Sequence, residues 1–321
     1  MHHRRRALLM LPLLAATRPA RAAAPVRVAT LRYGTVAWEL DVMRTHGLDT
    51  AAGIAVESVE LAAAQAAQVA LQGGRVDMIV QDWLWVSRQR ASGADWTLSP
   101  TSGALGAVIA PAGSAIRTVA DLRDRRLGIA GSPIDKSWLL LRAYAQRRHD
   151  LDLDRSTTKT FGPPPLLAEQ LAAGRLDAVL TYWPFAARAE AAGQNRVLAM
   201  EDAVGALGIG SEARVPFVGW TFSAAFADRV PAAVQGFIDA SGQARAILAQ
   251  SDAEWDRIAP LTGTSSTDEL ARLRSWYRRG AAGNWDLEAT ARLYDVLAEI
   301  GGPALVGPAA QLAPGTFWLR A

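Results

Sequence analysis

The chain contains the stretch LQGGRVDMIVQDW at residues 71–83, and one hundred residues later it contains LAAGRLDAVLTYW at residues 171–183. Leucine, glycine, arginine, aspartate and tryptophan occupy matching positions in the two stretches, and a further arginine follows at Arg88 and Arg188. Self-similarity at a fixed offset is the sequence signature of a structural unit that is used more than once. The repeat therefore predicts two lobes built on one plan.

Each copy has the pattern of a helix end followed by a buried strand. Gly74 and Gly174 stand where a glycine commonly closes a helix, and the apolar runs at 78–80 and 178–180 each follow an aspartate. Continuous apolar runs are typical of parallel strands that are covered on both faces. Polar and aromatic residues come directly after both runs, and ligands of open α/β sheets bind beside the carboxyl ends of the strands. We therefore expect the ligand site at these strand ends.

Strand-like and helix-like segments alternate through the first two thirds of the chain. Strands are predicted at 26–31, 54–61, 76–80, 126–130, 157–161 and 176–181, and helices at 37–45, 63–71, 85–91, 134–147 and 164–172. This alternation predicts an α/β fold with largely parallel strands. A late strand at 217–222, followed mostly by helices, predicts that the chain returns to complete the first lobe. The predicted domains are lobe 1 at 23–110 and 215–321, and lobe 2 at 111–214.

The first 22 residues have the features of a cleavable export signal. Arg4–Arg6 precede an apolar run at 7–16, and Ala20-Arg21-Ala22 matches a small-x-small cleavage site. The run is shorter than the roughly 20 apolar residues that a transmembrane helix needs. A Sec signal and a twin-arginine signal both fit this pattern. We expect cleavage after Ala22 and a mature protein in the periplasm.

Composition argues against several classes of function. Removing residues 1–22 takes away five arginines and no acidic residue, so the net charge changes from +3 to −2. Because nucleic-acid binding needs a dense basic surface, we expect no nucleic-acid partner. The chain has no cysteine, and beyond residue 22 only His46 and His149 remain, so we expect no lipid anchor, no metal site and no cofactor. No serine-histidine-acid set and no pair of carboxylates marks a catalytic centre.

A second specific stretch joins the two copies of the repeat. Residues 116–130 read IRTVADLRDRRLGIA, a short turn with Thr118 to Leu122 at its centre, then a basic turn and an apolar strand. Together with residues 71–77 and 171–180, this segment resembles the nitrate/sulfonate/taurine-type ABC transporter substrate-binding proteins, a group that includes thiamine-precursor-synthase-like domains. The resemblance runs from about Val26 to the last helices.

The resemblance implies a two-lobed periplasmic binding protein fold of type 2. Each lobe would be a mixed, mostly parallel sheet flanked by helices, with a ligand cleft between the lobes that closes on binding. It also implies the partners, which are a small-molecule ligand and an ABC permease of the inner membrane. We expect a monomer that is not an enzyme.

Ten residues at or near the predicted strand ends are candidate ligand-binding residues. They are Tyr33, Trp38, Asp82, Trp83, Gly131, Ser132, Ser137, Tyr182, Trp183 and Trp220. The aromatic members suit stacking or cation–π contacts with an organic ligand, while core packing is an equally open interpretation for each of them. Trp83 and Trp183 are favoured because the repeat places them at equivalent strand ends.

The polar candidates also have two interpretations. Free N–H groups at Gly131, Ser132 and Ser137 suit an anionic ligand at a helix start, but Ser132 also fits an N-cap that is followed by Asp135 as the third-position acid. Asp82 suits an amine or hydroxyl group of the ligand, and equally suits a helix cap. Lys136 is expected to be a solvated surface lysine.

Two other functions remain as alternatives to a transport receptor. One is an enzyme on the same fold, although the thiamine-precursor synthases use cysteines and a histidine that have no counterpart in this sequence. The other is an exported sensor that works without a transporter. Aromatic-rich loops and the lack of an evident arginine clamp favour an organic ligand over a nitrate-sized anion.

Overall fold

The computed structural model describes residues 25–32, 34–209, 213–264, 266–281 and 283–319. The predicted leader, residues 1–22, and the candidate Tyr33 lie outside the described residues. None of the helices in these ranges has the length and apolar character needed to cross a bilayer.

Strands and helices alternate along the first part of the chain as the sequence predicts. The elements up to residue 110 are β1 (Pro25–Leu31), α1 (Val36–Thr45), α2 (Leu48–Ala51), β2 (Ala55–Leu61), α3 (Ala64–Gln72), β3 (Ile79–Asp82), α4 (Trp83–Ala91), β4 (Trp96–Ser102) and β5 (Gly106–Ala110). The next group is β6 (Arg126–Ala130), α5 (Lys136–His149), α6 (Leu153–Ser156), β7 (Thr158–Gly162), α7 (Pro164–Ala172), β8 (Ala178–Tyr182), α8 (Trp183–Ala191), β9 (Asn195–Ala199) and α9 (Met200–Val204).

The last third of the described chain contains one strand and is otherwise mostly helical. Its elements are β10 (Val218–Ser223), α10 (Ala224–Arg229), α11 (Pro231–Gln250), α12 (Asp252–Thr262), α13 (Thr267–Gly280), α14 (Leu287–Gly301) and α15 (Pro303–Val306). Short helical turns also lie at Val119–Leu122 and Gly205–Ile209.

Two mixed sheets share one topology. In the second sheet the strand order is β7-β6-β8-β5-β9, with β6 parallel to β7 and β8, and β5 antiparallel to both of its neighbours. In the first, β2 and β1 are parallel, a bridge from Val28 to Met78 links β1 to the start of β3, and β10 lies antiparallel between β3 and β4. Both sheets thus have three strands in the same order, then an antiparallel strand in the fourth position, then a fifth strand. The predicted two-lobed α/β class is confirmed.

The strand in the fourth position of each sheet is exchanged between the two halves of the chain. β5 pairs with β8 and β9, so the predicted boundary at residue 110 was wrong for this strand, which belongs to the second sheet. A short apolar strand carries no local mark of the sheet that it will join. The chain leaves the first sheet after Ser102 and returns to it at Val218. These two crossing points are adjacent, because the Phe217 N–H donates to the Ser102 carbonyl at 2.9 Å.

Two C-terminal helices contact the second lobe as well as the first. α13 packs along α8, and Arg188 pairs with Glu269 at 2.8 Å across that contact. α14 packs against α5. Residues 215–321 are predicted to complete the first lobe, and these two helices also contact helices of the second.

The aspartate in each copy of the repeat has the same structural role. Asp77 accepts hydrogen bonds from the backbone N–H of Arg27 at 2.9 Å and from the Arg27 guanidinium at 2.6 and 2.9 Å. Asp177 does the same for Arg126, at 2.8 Å from the backbone and 2.6 and 3.1 Å from the guanidinium. These hydrogen bonds lower the pKa of Asp177 below its ordinary value. Each carboxylate therefore fastens the segment before the third strand to the start of the first strand.

We predict that Asp77→Ala and Asp177→Ala both lower the free energy of unfolding, by about 1–3 kcal/mol, because each removes charge-assisted hydrogen bonds. The effect should be larger for Asp77, whose side chain is 10% exposed, than for Asp177, whose side chain is 28% exposed. Chemical denaturation measures both. The exposed Asp256→Ala on α12 is the control, and equal stability of all three variants would contradict the role of the carboxylates.

The Asp177 contribution should also depend on pH. Because its pKa is lowered in the folded state, its stabilisation is present above the ordinary pKa of an aspartate and is lost as the pH falls through the folded value. The stability difference between the native chain and Asp177→Ala should therefore shrink in strong acid.

Gly106 begins the strand that crosses into the second sheet, and no other residue fits there. Its φ is 147°, and a Cβ atom would lie 2.0 Å from the carbonyl oxygen of Thr181. We predict that Gly106→Ala destabilises the fold by at least about 1–3 kcal/mol, through backbone strain and this clash. Gly113→Ala is the matched control, since no atom lies within 4 Å of its added Cβ. Similar melting temperatures for the two variants would refute this prediction.

Candidate functional site

A cavity of about 220 Å³ lies between the two sheets, at the carboxyl ends of their strands. The first lobe contributes residues that follow β1, β3 and β4, and the second contributes the loops after β6 and β8. Its principal side chains are Leu31, Val36, Glu39, Gln65, Gln68, Val80, Asp82, Trp85, Ile134, Asp135, Lys136, Tyr182, Trp183, Phe185, Val218, Arg245 and Tyr277. The cavity therefore lies where the repeat predicts a ligand site.

Five of the ten predicted site residues line this cavity. They are Asp82, Gly131, Ser132, Tyr182 and Trp183. All five stand at or just after the carboxyl end of a strand, so the rule for open α/β sheets identified them. Trp85 also lines the cavity but was not among the ten; it lies two positions after Trp83, in the first turn of α4.

Trp83 and Trp220 are core residues and do not line the cavity. Each is 1% exposed. The Trp83 ring lies 6.4 Å from that of Tyr294, and Trp220 donates from Nε1 to Ser241 Oγ at 2.7 Å while packing edge-on to Phe237. The expectation that they face the cleft is corrected, because each ring points into the helices that cover its sheet.

Trp38 supports the cavity wall from behind. Its ring lies edge-on to Trp183 at 6.1 Å and to Trp255 at 5.9 Å, and its Nε1 donates to the carbonyl of Leu261 at 3.2 Å. Trp183 in turn contacts Tyr277 at 6.0 Å. Of these rings, Trp183 and Tyr277 line the cavity, whereas Trp38, at 4% exposure, is a packing residue rather than a wall.

The helix start after β6 is capped by the protein itself. Asp135 is the N-cap of α5 and accepts from the Ser137 N–H at 2.9 Å, so the helix begins at Lys136 and Ser132 is not the cap. The Gly131 N–H is also engaged, since it donates to the Gly162 carbonyl at 3.1 Å. The prediction that the backbone N–H groups of Gly131 and Ser137 are free to bind an anionic ligand is therefore corrected. Ser137 is 2% exposed and does not line the cavity.

Gly131 has a steric reason to be glycine. Its φ is 97°, and an added Cβ would lie 2.7 Å from Asp135 Oδ2 and 2.8 Å from the Tyr182 hydroxyl. The Tyr182 hydroxyl donates to Asp135 Oδ2 at 3.1 Å. The glycine thus allows the β6 loop to approach the end of β8 closely enough for this hydrogen bond.

Lys136 is buried at the cavity, which corrects the expectation of a solvated lysine. It is 9% exposed, and its Nζ lies 5.4 Å from the centroid of the Tyr182 ring. Among the described residues, Nζ makes no hydrogen bond and no salt bridge. Side chains of a first helical turn point back toward the helix start, which here is the cavity. The position of Lys136 in the first turn of its helix is therefore the sequence feature from which its place at the cavity could have been predicted.

Asp82 is both a helix cap and a cavity residue. It is 6% exposed, and its Oδ1 accepts from the Trp85 N–H at 2.8 Å at the start of α4. Its Oδ2 accepts no hydrogen bond from the described residues. Burial raises the pKa of Asp82, and the positive charge of Lys136 partly opposes that rise. The helix-cap interpretation is therefore confirmed, and the predicted ligand contact stays a prediction for a residue that lines the cavity.

A second polar group lies on the first-lobe side of the cavity. Tyr277 donates from its hydroxyl to Glu39 Oε1 at 3.0 Å, and Arg245 Nη1 lies 3.8 Å from Glu39 Oε2. Arg245 Nη1 also donates to Ser241 Oγ at 2.7 Å. Burial raises the pKa of Glu39, against the opposing charge of Arg245. Sequence reasoning missed this group because its members come from three helices that are far apart in the chain.

The charged residues of the cavity lining are three acids and two bases. They are Glu39, Asp82, Asp135, Lys136 and Arg245. Apolar and aromatic side chains make up much of the remaining wall. Across the described ranges, no three side chains of the metal-ligating types cluster closely enough to hold a metal ion. The cavity suits a small molecule with a polar head and an apolar body.

We predict that Asp82→Asn stabilises the ligand-free protein at neutral pH. Because burial raises the folded pKa of Asp82, the native chain loses stability as the pH rises through that value, and asparagine avoids this loss while still capping α4. Thermal denaturation across pH should show the two curves converging in acid, and Asp256→Asn controls for the lost charge. If the stability curves of the native chain and Asp82→Asn stay parallel over the whole pH range, burial of the Asp82 carboxylate does not lower the stability of the protein.

Comparison with solved structures identifies the architecture. The alkanesulfonate-binding protein SsuA from Xanthomonas axonopodis pv. citri, bound to MOPS, matches with a TM-score of 0.74 and 19% identity, over 93% of this chain and 99% of that chain. The periplasmic aliphatic sulphonate-binding protein SsuA from Escherichia coli matches with a TM-score of 0.71 and 17% identity, over 92% and 97%. This chain has the fold of the sulfonate-binding periplasmic proteins.

The sulfonate-binding-protein fold also occurs in an enzyme. The desulfurization enzyme DSZB matches with a TM-score of 0.57 and 18% identity, over 89% of this chain and 94% of that chain. The two binding proteins match with higher TM-scores than this enzyme. No protein-family model and no curated protein matches the sequence. At these identities the likeness establishes the fold, and the ligand has to be argued from the cavity itself.

Proposed function

We propose that the chain is an exported solute-binding protein that captures a small organic molecule between its two lobes and delivers it to an ABC importer. One observation carries this proposal: a cavity of about 220 Å³ is lined by strand ends of both lobes. A ligand held there contacts both halves and can stabilise their closed arrangement. The fold shared with periplasmic binding proteins supports the same function.

The cavity favours binding over catalysis. The chain has no cysteine, and its two histidines beyond residue 22 lie elsewhere. His46 pairs with Glu254 at 3.3 Å, and His149 packs on the Tyr144 ring. A buried carboxylate (Asp82) and a buried ammonium group (Lys136) in one cavity lining suit the recognition of a polar ligand without any bond-making step.

The matching tryptophans of the repeat provide a test of the binding site. Trp183→Leu should raise the dissociation constant of the ligand at least about tenfold, because it removes a cavity wall. Trp83→Leu should lower the melting temperature but leave the ligand-induced shift intact, because Trp83 is buried in the core. Phe185→Ala, a half-buried cavity residue, gives a second wall variant with less effect on packing.

The measurement is thermal denaturation of the chain from Ala23 with sulfonates, amines, amino acids, pyrimidines and vitamins, alongside native mass spectrometry of the protein purified from its own periplasm. A ligand at about 100 times its dissociation constant should stabilise the fold by roughly 2.7 kcal/mol. Absence of any bound molecule in both experiments would refute a solute-binding function. Equal binding by the native chain, Trp183→Leu and Phe185→Ala would place the ligand outside this cavity.

A further inference from the structure

Two buried groups of opposite charge face the cavity from different lobes, and neither has a complete set of partners. Asp82 belongs to the end of β3 in the first lobe, and its Oδ2 accepts no hydrogen bond from the described residues. Lys136 belongs to the start of α5 in the second lobe, where the ring of Tyr182 is the one partner that the described residues offer its Nζ. They are 6% and 9% exposed. Buried charges of this kind need a partner, and a ligand between the lobes is placed to supply it.

These two groups influence each other without forming an ion pair. The charge of Lys136 is near enough to oppose the burial-raised pKa of Asp82. No salt bridge of 4.0 Å or less joins the Lys136 ammonium to the Asp82 carboxylate. Each group therefore keeps capacity for a ligand, since Asp82 can accept a hydrogen bond through Oδ2 and Lys136 can donate from Nζ.

The other charged groups of the cavity are already satisfied within the protein. Both oxygens of Asp135 are engaged, one by the Ser137 N–H and the other by the Tyr182 hydroxyl. Glu39 accepts from Tyr277 and lies beside Arg245. Asp82 and Lys136 are thus the lining charges that depend most on a ligand.

A ligand with a single charge fits this arrangement poorly. A simple anion would pair with Lys136 but would add a negative charge to a lining that already has three carboxylates and two basic groups. A simple cation would pair with Asp82 but would leave Lys136 without an acceptor and add a like charge beside it. A molecule that carries both charges pairs with both groups and leaves the net charge of the cavity unchanged.

We propose that the ligand of this cavity is a small zwitterion whose ammonium group binds Asp82 and whose carboxylate or sulfonate group binds Lys136. The inference rests on the proposed solute-binding function. The apolar part of the molecule lies against Trp85, Trp183 and Phe185, which form much of the remaining wall. A cavity volume of about 220 Å³ suits a molecule of the size of an amino acid or an aminosulfonate.

The test uses sets of three probes, in which the zwitterion is compared with one analogue that lacks its ammonium group and one that lacks its acidic group. Suitable sets are taurine, ethanesulfonate and ethylamine; leucine, 4-methylpentanoate and 3-methylbutylamine; and phenylalanine, 3-phenylpropanoate and 2-phenylethylamine. Isothermal titration calorimetry on the chain from Ala23 gives each dissociation constant. In at least one set we expect the zwitterion to bind at least about tenfold more tightly than both singly charged analogues.

Three variants assign the two charges. Asp82→Asn keeps the cap of α4, so it should fold, and it should weaken zwitterion binding at least about tenfold while leaving the singly charged anion unchanged or tighter. Lys136→Gln should weaken the zwitterion and the anion alike. Asp256→Asn, an exposed position on α12, should change neither.

The outcomes separate this inference from the function on which it rests. If a singly charged probe binds as tightly as its zwitterion, or if Asp82→Asn leaves zwitterion binding unchanged, the zwitterion assignment is wrong and the solute-binding function stands. The same holds if the periplasmic ligand identified by mass spectrometry carries one charge or none. If neither these probes nor any periplasmic molecule binds, the function and the inference both fall.

Discussion

The carboxylates of Asp77 and Asp177 hold each sheet in the arrangement on which the rest of the structure depends. Each one accepts a backbone N–H and both arms of a guanidinium from the start of the first strand, Arg27 in one sheet and Arg126 in the other. The segment leading into the third strand is thereby fastened to the amino end of the first. Because strands β3 and β8 are short, this attachment sets where their carboxyl ends emerge, and those ends form the cavity.

The exchange of one strand between the lobes joins the two copies into a single molecule. β5 enters the second sheet beside β8, and β10 returns to the first sheet between β3 and β4. The two connecting segments touch, and α13 and α14 lie against helices of the second lobe. The cavity is therefore bounded by two sheets and closed on one side by helices, so that a ligand inside it contacts several independent parts of the chain.

Helix starts in this cavity are already occupied by the protein's own carboxylates. Asp82 caps α4 and Asp135 caps α5, so the partial positive charge at both helix ends is largely compensated before a ligand arrives. An anion therefore has less to gain from these N–H groups than at an uncapped helix start. Recognition of an anionic group passes instead to the ammonium of Lys136, and Asp82 remains available for a positive group through its second oxygen.

The duplicated plan and the edge of the sheets where the cavity lies were predictable from the sequence, because glycine, aspartate and apolar runs act locally and recur at one offset. The sequence also identified Asp82, Tyr182 and Trp183 as cavity residues through their position after a strand. Their pairing partners and the orientation of other rings were not predictable in this way. Periodicity locates an element along the chain but does not set the rotation of a large side chain at its end, and this is why Trp83 and Trp220 were misplaced.

The sheet that β5 joins and the charges that meet in the cavity depend on long-range packing. A short apolar strand pairs equally well with either sheet until its neighbours are in place. Glu39, Arg245 and Tyr277 come together because α1, α11 and α13 pack against one another, and such contacts depend on the whole core. Lys136 became a buried cavity residue for the same reason: its surroundings are contributed by the other lobe and by Tyr182, which local sequence does not describe.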